Sequence, residues 1–317
     1  MTRGTMVGVI GCAAALGVVV CSADGPQLAS TVEPPRTVDR DYAPPIARPA
    51  FGPGEGPRVL VDETHNNFHT AVGTYQPFAR LLERDGYVVA RGTEPLSDRS
   101  LTSCDLLVVA DAQPPASAGE PPTFPAGEVH TLNQWVRNGG ALLLITDHMP
   151  DPGAIADLAA SFGIEVHNGY ALRDALSSPG DPLVFSRADG TLADHPLTRG
   201  RDSSEAVTAV ATFAGSAFRA KAPFQPLLLF PPGVRSWTPA AYWEFRPTTP
   251  NIDVGGWYQG GVMEYGTGRL AMFGEAAMFT AQVFENGRTR AGMNHELGRE
   301  NYRLLRNVMR WLTDASR

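Results

Sequence analysis

The sequence has little cysteine and no run of positive charge. Three cysteines occur in 317 residues, at positions 12, 21 and 104. Two of them belong to an apolar leader, so the folded part keeps only Cys104. One thiol forms no internal disulfide, and the fold must rest on its core. No Lys/Arg-rich segment occurs, and the formal net charge is -7. This balance argues against a nucleic-acid partner, because a phosphate backbone rewards clustered cations. No serine sits in a G-x-S-x-G elbow, and no P-loop or dinucleotide glycine fingerprint follows the first apolar strand. Elbow-type serine hydrolases and phosphate-cofactor enzymes therefore fall away. The apolar run Met6 to Val20 spans fifteen residues, short of the roughly 20 that cross a bilayer. Arg3 precedes it and Cys21-Ser22-Ala23 follows, so residues 1–23 read as a signal peptide, with lipidation of Cys21 as the variant. Cleavage leaves no integral membrane span and moves the net charge from -7 to about -8. The expected location is outside the cytoplasm: periplasmic, extracellular or lipid-anchored at the surface.

What is present is a full core. Hydrophobic residues make up 43% and charged residues 19%, enough to bury apolar surface on a large scale. Thirty-three glycines and 27 prolines imply many turns. Residues 24–57 are polar and Pro-rich and read as a linker. The α/β domain is expected over 58–317. Strands are predicted at 58–61, 87–91, 105–111 and 141–146, and helices at 74–86, 127–140 and 151–163. Short apolar strands alternating with helices of about twelve residues specify a doubly wound, mostly parallel sheet with helices on both faces. The second half is less regular, with an irregular insertion, strands at 206–213 and 226–230, and a hairpin over 262–275 that turns at Gly266-Thr267-Gly268. Leu304, Leu305, Val308, Met309 and Leu312 give 300–316 an amphipathic helical stripe.

In such a sheet, ligands bind beyond the carboxyl ends of the strands. Four predicted strands deliver acidic or imidazole groups there. The first leads into Asp62-Glu63-Thr64-His65, the third ends on Asp111, the fourth meets Asp147-His148, and the late hairpin ends at Glu275. Glu63, His65, Asp147, His148 and Glu275 are the candidate acid/base residues. Asp62, Asn66, Asn67, His69, Asp111 and His295 are candidate ligand contacts. His65 and His69 are four apart, the spacing of a two-histidine metal motif, but Asn66 stands where such motifs carry a glutamate. Imidazole and carboxylate suit zinc or iron, so a divalent metal is a candidate cofactor and no other is indicated. Helix capping by Thr64, Asn66 or Asn67 is the competing account. His195, beside Pro196, and His295, where Asn294 could cap the last helix, read chiefly as turn and cap residues. His130 and His167 read as structural. Cys104 is expected at the amino end of the sheet. Trp237, Tyr242, Trp243, Trp257 and Tyr258 fall close together, as core packing or as a stacking surface.

The segments "GGALLLITDH", "DHPLTRG", "GTGRLAMFGEAAMF" and "ENYRLLRNVMRWL" come in an order that resembles the class I glutamine amidotransferase-like superfamily. The likeness is to its cysteine-less bacterial branches, the trehalose-utilisation (ThuA-like) proteins and exported relatives of gliding-motility-type domains, over about residues 58 to 315. It implies a flavodoxin-like fold with its key turn after 141–146. True amidotransferases carry a cysteine nucleophile there, where this chain has Asp147 and His148. The resemblance implies the place of a pocket and not thioester chemistry. Three readings stay open: an exported domain that binds or acts on a small polar ligand such as a sugar or cell-wall fragment, a metal-dependent hydrolase using His65, His69 and a carboxylate, and a non-catalytic envelope module that docks a protein partner through 237–258.

Overall fold

The apolar runs found in the sequence assemble into one nine-stranded sheet. The computed structural model describes residues 36–117, 122–284 and 287–313, so the signal-peptide segment with Cys21 lies outside the described residues. The strands are β1 (Arg58–Asp62), β2 (Val88–Gly92), β3 (Leu106–Ala110), β4 (Ala141–Ile145), β5 (Ile164–His167), β6 (Ala217–Ala220), β7 (Gln225–Leu229), β8 (Tyr258–Tyr265) and β9 (Gly268–Phe273). Their order across the sheet is β2-β1-β3-β4-β9-β8-β6-β5, with β7 also paired to β8. The first five in that order run parallel. The others add antiparallel. The fold is thus α/β and flavodoxin-like, and the chain reverses direction across the sheet between β1 and β3.

Every residue of β3 and β4 is buried. That is the signature of a parallel strand covered on both faces. Val59, Val61, Val108, Leu143, Ala271 and Phe273 meet one layer of core. Leu107, Val109, Leu142, Leu144, Leu270 and Met272 meet the other. Helices α1 (Gln76–Arg84) and α4 (Asn301–Thr313) close the first layer with Phe78, Leu81, Leu82, Leu304, Leu305 and Val308. Helices α2 (Ala126–Arg137) and α3 (Ala156–Ser161) close the second with Leu132, Val136, Leu158 and Ala159. The helix expected over 151–163 is broken. Asp151–Ala154 makes one short turn, and Ile155, at φ -102° and ψ 2°, separates it from α3. Pro152 and Gly153 in the first turn explain the interruption.

The Pro-rich stretch expected as a linker is, from Arg36 onward, part of the domain. Arg36–Val38 pairs antiparallel with Ala281–Phe284. Tyr42, Ile46, Ala50 and Phe51 pack on the core. Irregularly spaced anchors of this kind leave no periodic signal, which is why composition misreads them. The segment is also pinned by charge. Arg306 of α4 reaches across to Asp85 at 2.7 Å, and the same guanidinium donates to the Arg48 carbonyl at 2.8 Å. Asp85 in turn accepts the Ala50 amide at 2.9 Å. Gly86 lets the chain pass here: it has φ +98°, and a Cβ would lie 2.5 Å from the Phe51 carbonyl oxygen.

The Arg306–Asp85 pair is almost wholly buried, with 4% and 1% of the two side chains exposed. Removing one member strands the other charge in the core. Arg306→Met is expected to lower the unfolding free energy by about 3–5 kcal/mol, read as a shift of the urea midpoint at unchanged slope. A midpoint within error of the wild type would show that the pair does not hold the N-terminal segment in place.

Candidate functional site

The parallel strands end on one rim, and three of them end level. Ala110 pairs with Ile145, and Ile145 with Phe273. The ladder continues one step further, with the Asp111 amide donating to the Ile145 carbonyl at 2.9 Å and the Thr146 amide to the Phe273 carbonyl at 3.0 Å. Asp111, one residue beyond these ends, and Asp147 and Glu275, two residues beyond, are therefore neighbours. Asp111 has φ +54°, a left-handed conformation that Asp tolerates better than most side chains.

His69 joins them from the loop after β1. One ligand atom each from His69, Asp111 and Asp147 lies within 4.8 Å of the others. His69 Nε2 is 3.7 Å from an Asp111 carboxylate oxygen. Its other nitrogen, Nδ1, is 2.7 Å from the Thr74 hydroxyl. That hydroxyl spends its only proton on the Phe68 carbonyl at 3.3 Å. It must accept from Nδ1–H, so Nε2 carries a bare lone pair facing the carboxylates. Tyr75 stacks on the imidazole with ring centroids 4.5 Å apart. Burial, helped by the Arg36 charge, pushes the His69 pKa down to about 3, so the ring is neutral.

Two further acids adjoin. Asp151, four residues beyond Asp147, lines the same pocket. Burial, and then the Asp147 charge, pushes it up to about 7. Asp111 lies well above the ordinary carboxylate range, through burial and then through Asp151 and Asp147. Asp147 is raised as well, by burial. Glu275 is fully buried, and burial followed by the Asp147 charge raises it strongly. One of its oxygens accepts the Met278 amide at 2.7 Å. Its other oxygen and Asp111 Oδ1 are buried without a hydrogen-bond partner among the described residues. His148 borders the pocket, 4.0 Å from an Asp147 oxygen, with Nδ1 near the Met149 carbonyl and its ring stacked on Tyr170. The pocket over this cluster is small, about 70 Å³, and also takes in Arg36, Phe68, Gln113 and Tyr242.

The remaining candidates fall elsewhere. His65 does not join His69 around a common point. The segment is an irregular loop and not a helix. His65 lies 2.7 Å from Asp62 through Nδ1 and 2.9 Å from Glu128 of α2 through Nε2, stacked on Phe124. Asp62 is spent on this contact and on the Thr64 hydroxyl. Glu63 turns the other way, where it accepts from Arg91 at 2.7 Å and from the Ala71 amide at 3.0 Å. Asn66 is exposed at φ +51°. Asn67 ties the loop by accepting the His65 amide at 3.0 Å and donating to the Ala110 carbonyl at 3.3 Å. His295 accepts the Leu297 amide through Nδ1 at 3.1 Å, which caps a short turn. His195 does the same for Leu197. Asn294 donates to Asp39 and to the Gln282 carbonyl instead of capping the last helix. Cys104 stands before β3, at the opposite end of the sheet, and burial pushes its thiol up to about 12. Asp151, Thr74, Tyr75, Gln113 and Arg36 were not singled out by the strand-end rule. Only Asp151 had a signal, its place four residues after Asp147.

A larger groove of about 850 Å³ opens at the amino end of the strands, beside Pro57 and Asp105. Its cations Arg201 and Arg310 are already paired with Glu205.

No family model matches the chain, and no curated protein matches its sequence. Solved structures are similar in fold. The N-terminal domain of mmIFT52 aligns over 82% of this chain and 99% of its own, with a TM-score of 0.54 and 16% identity. A ThuA-like protein from Bacteroides uniformis aligns over 86% and 95%, with a TM-score of 0.46 and 13% identity. Another from Parabacteroides merdae aligns over 82% and 91%, at 0.43 and 11%. At such identities the likeness speaks for the fold alone. Among the described residues, no helix is long and apolar enough to cross a membrane.

His65 supplies a pH test of the loop. Burial opposes its charge, but the hydrogen bonds and charges of Asp62 and Glu128 prevail and raise its pKa above 6.5. A raised folded value means that the ion pairs stabilise fully below the unfolded imidazole value and fade as pH rises through the folded one. The stability gap between wild type and His65→Gln should be widest near pH 5–6 and narrow steadily above neutrality in paired urea titrations. A gap that widens with pH would contradict the assigned imidazolium.

Proposed function

We propose that the rim cluster holds a divalent cation and that the chain is an exported hydrolase of small polar ligands, on a cysteine-less variant of the glutamine amidotransferase-like fold. One observation carries this reading: a nitrogen of the buried His69 and two carboxylates, Asp111 buried and Asp147 partly exposed, face one point, all within 4.8 Å of one another. Lone pairs so arranged repel unless something positive lies between them. Neutral imidazole with carboxylates suits zinc, manganese or iron(II). The expected pair of His65 and His69 gives way to His69, Asp111 and Asp147. Export rests on the apolar leader read in the sequence.

A cation there would polarise a carbonyl or phosphoryl oxygen and make bound water a nucleophile near neutral pH. The protein's part is positional. Thr74 fixes the His69 tautomer, and Tyr75 holds the ring flat. Asp151 lines the same pocket as Asp111 and would be placed to accept a proton from a water bound there. His148 borders the same pocket and would face a ligand held there. Hydrolysis through a cysteine thioester has no support, since Cys104 is at the far end of the sheet.

Elemental analysis after metal-supplemented expression tests this. Wild type should carry about one zinc, manganese or iron per chain, and His69→Ala or Asp147→Asn should lose it. Thr74→Val should weaken metal affinity by about 10–100-fold, because it removes the partner that orients the ligand. Clearly substoichiometric metal in the wild type, with no rise in melting temperature on adding these ions, would sink the proposal.

A further inference from the structure

The pocket is too small for a whole substrate. Its volume of about 70 Å³ compares with the roughly 300 Å³ or more of sites that enclose a drug-sized ligand. A cavity needs roughly 10–15 Å³ of such space to hold one water, so the pocket suits one carboxyl, amide or phosphoryl group with a few waters. The rest of any substrate must lie across the mouth. Two large rings stand there. Phe68 is 54% exposed and Tyr242 is 56% exposed, and both border the pocket.

Neither ring is loose decoration. Phe68 meets the His69 ring edge to face at 5.1 Å. Tyr242 meets His148 at 5.5 Å, Tyr170 at 6.3 Å and Trp243 at 6.4 Å. Behind them Tyr170, Trp237 and Trp243 form a buried aromatic cluster of their own. Each exposed ring therefore rests on a ring beside the acidic cluster. Phe68 comes from the loop after β1 and Tyr242 leans on the turn after β4, with β3 and Asp111 between them in the strand order. Exposed aromatic side chains supported from below offer flat apolar contact at little entropic cost.

We infer that Phe68 and Tyr242 form an outer subsite for a flat ring, and that the substrate is a ring-bearing small molecule whose single acyl, amide or phosphoryl substituent enters the pocket. This rests on the cation site proposed above. The subsite accounts for selectivity by the part of the ligand that does not react, and the cluster accounts for the part that does.

Two hydroxamates separate the contributions, since both carry the same metal-binding head. Benzohydroxamate adds a ring and acetohydroxamate only a methyl group. Calorimetry on zinc- or manganese-loaded wild-type protein should show benzohydroxamate binding about tenfold tighter or better. Phe68→Ala and Tyr242→Ala should each cut that preference several-fold, and the double variant should bring it to within about twofold. Acetohydroxamate affinity and metal content should stay unchanged, and Phe68→Tyr and Tyr242→Phe should keep the preference. Both positions are more than half exposed, so the variants should fold. Metal bound with equal affinity for the two hydroxamates, or a ring preference that survives the double variant, would overturn the subsite alone. A ring preference in a protein that holds no metal would overturn the cation site alone. Failure of the metal-supplemented protein to bind either compound would overturn both.

Discussion

The site depends on the level ending of three adjacent strands. Ala110, Ile145 and Phe273 stand side by side in one hydrogen-bonded ladder, so Asp111, Asp147 and Glu275 have no freedom to disperse. A slip of one residue in any of the three would carry its acid about 3.3 Å along the strand direction, out of level with the other two. In β3 such a slip would also draw Asp105 or Asp111 into a strand that is buried along its whole length. The core energetics that fix the register thus fix the chemistry, and no separate device is needed to hold the acids together.

That arrangement carries a cost. Asp111, Asp147, Asp151 and Glu275 crowd a buried region in which His69 is neutral. Like charges a few ångströms apart at a protein surface repel by about 4 kcal/mol, so the cluster persists only if protons or a cation neutralise it. The loop that brings His69 is secured elsewhere. His65 joins Asp62 at the end of β1 to Glu128 on α2, and Asn67 hangs the loop from the Ala110 carbonyl. The two histidines that looked alike in sequence divide the work. One, wedged between two carboxylates that favour its charged form, holds the loop. The other is neutral and presents a lone pair to the rim.

Much of this was legible in the sequence. Continuous apolar runs of five residues identified β3 and β4, and the acids that follow them identified Asp111 and Asp147. The helical stripe of α4 and the hairpin of β8 and β9 were equally plain, since local periodicity encodes both. What stayed hidden depends on contacts made far away in sequence. Glu63 has the same credentials as Asp111 until Arg91, on the neighbouring strand, claims it. His65 could not be separated from His69 without knowing that Glu128 reaches it from α2. The anchors Tyr42, Ile46 and Phe51 follow no period, and the surrounding prolines masked them. Asp151 was obscured because Pro152 and Gly153 break the helix that seemed to begin there.

The turn after β4 shows how far a fold constrains function. The amidotransferase-like resemblance read from the sequence would place a cysteine nucleophile at that turn. Here the turn holds Asp147, which accepts the Ala276 amide at 3.2 Å, and His148, which packs on Tyr170. A thiolate works as a covalent nucleophile and needs a base beside it. A carboxylate held among other carboxylates is a poor nucleophile but a good ligand for a hard or borderline cation. The sheet delivers whatever residue occupies the turn to the same place, between β3 and β9. Changing that residue changes which electron pair is offered there, and with it the class of reaction, while the strands beneath need not move.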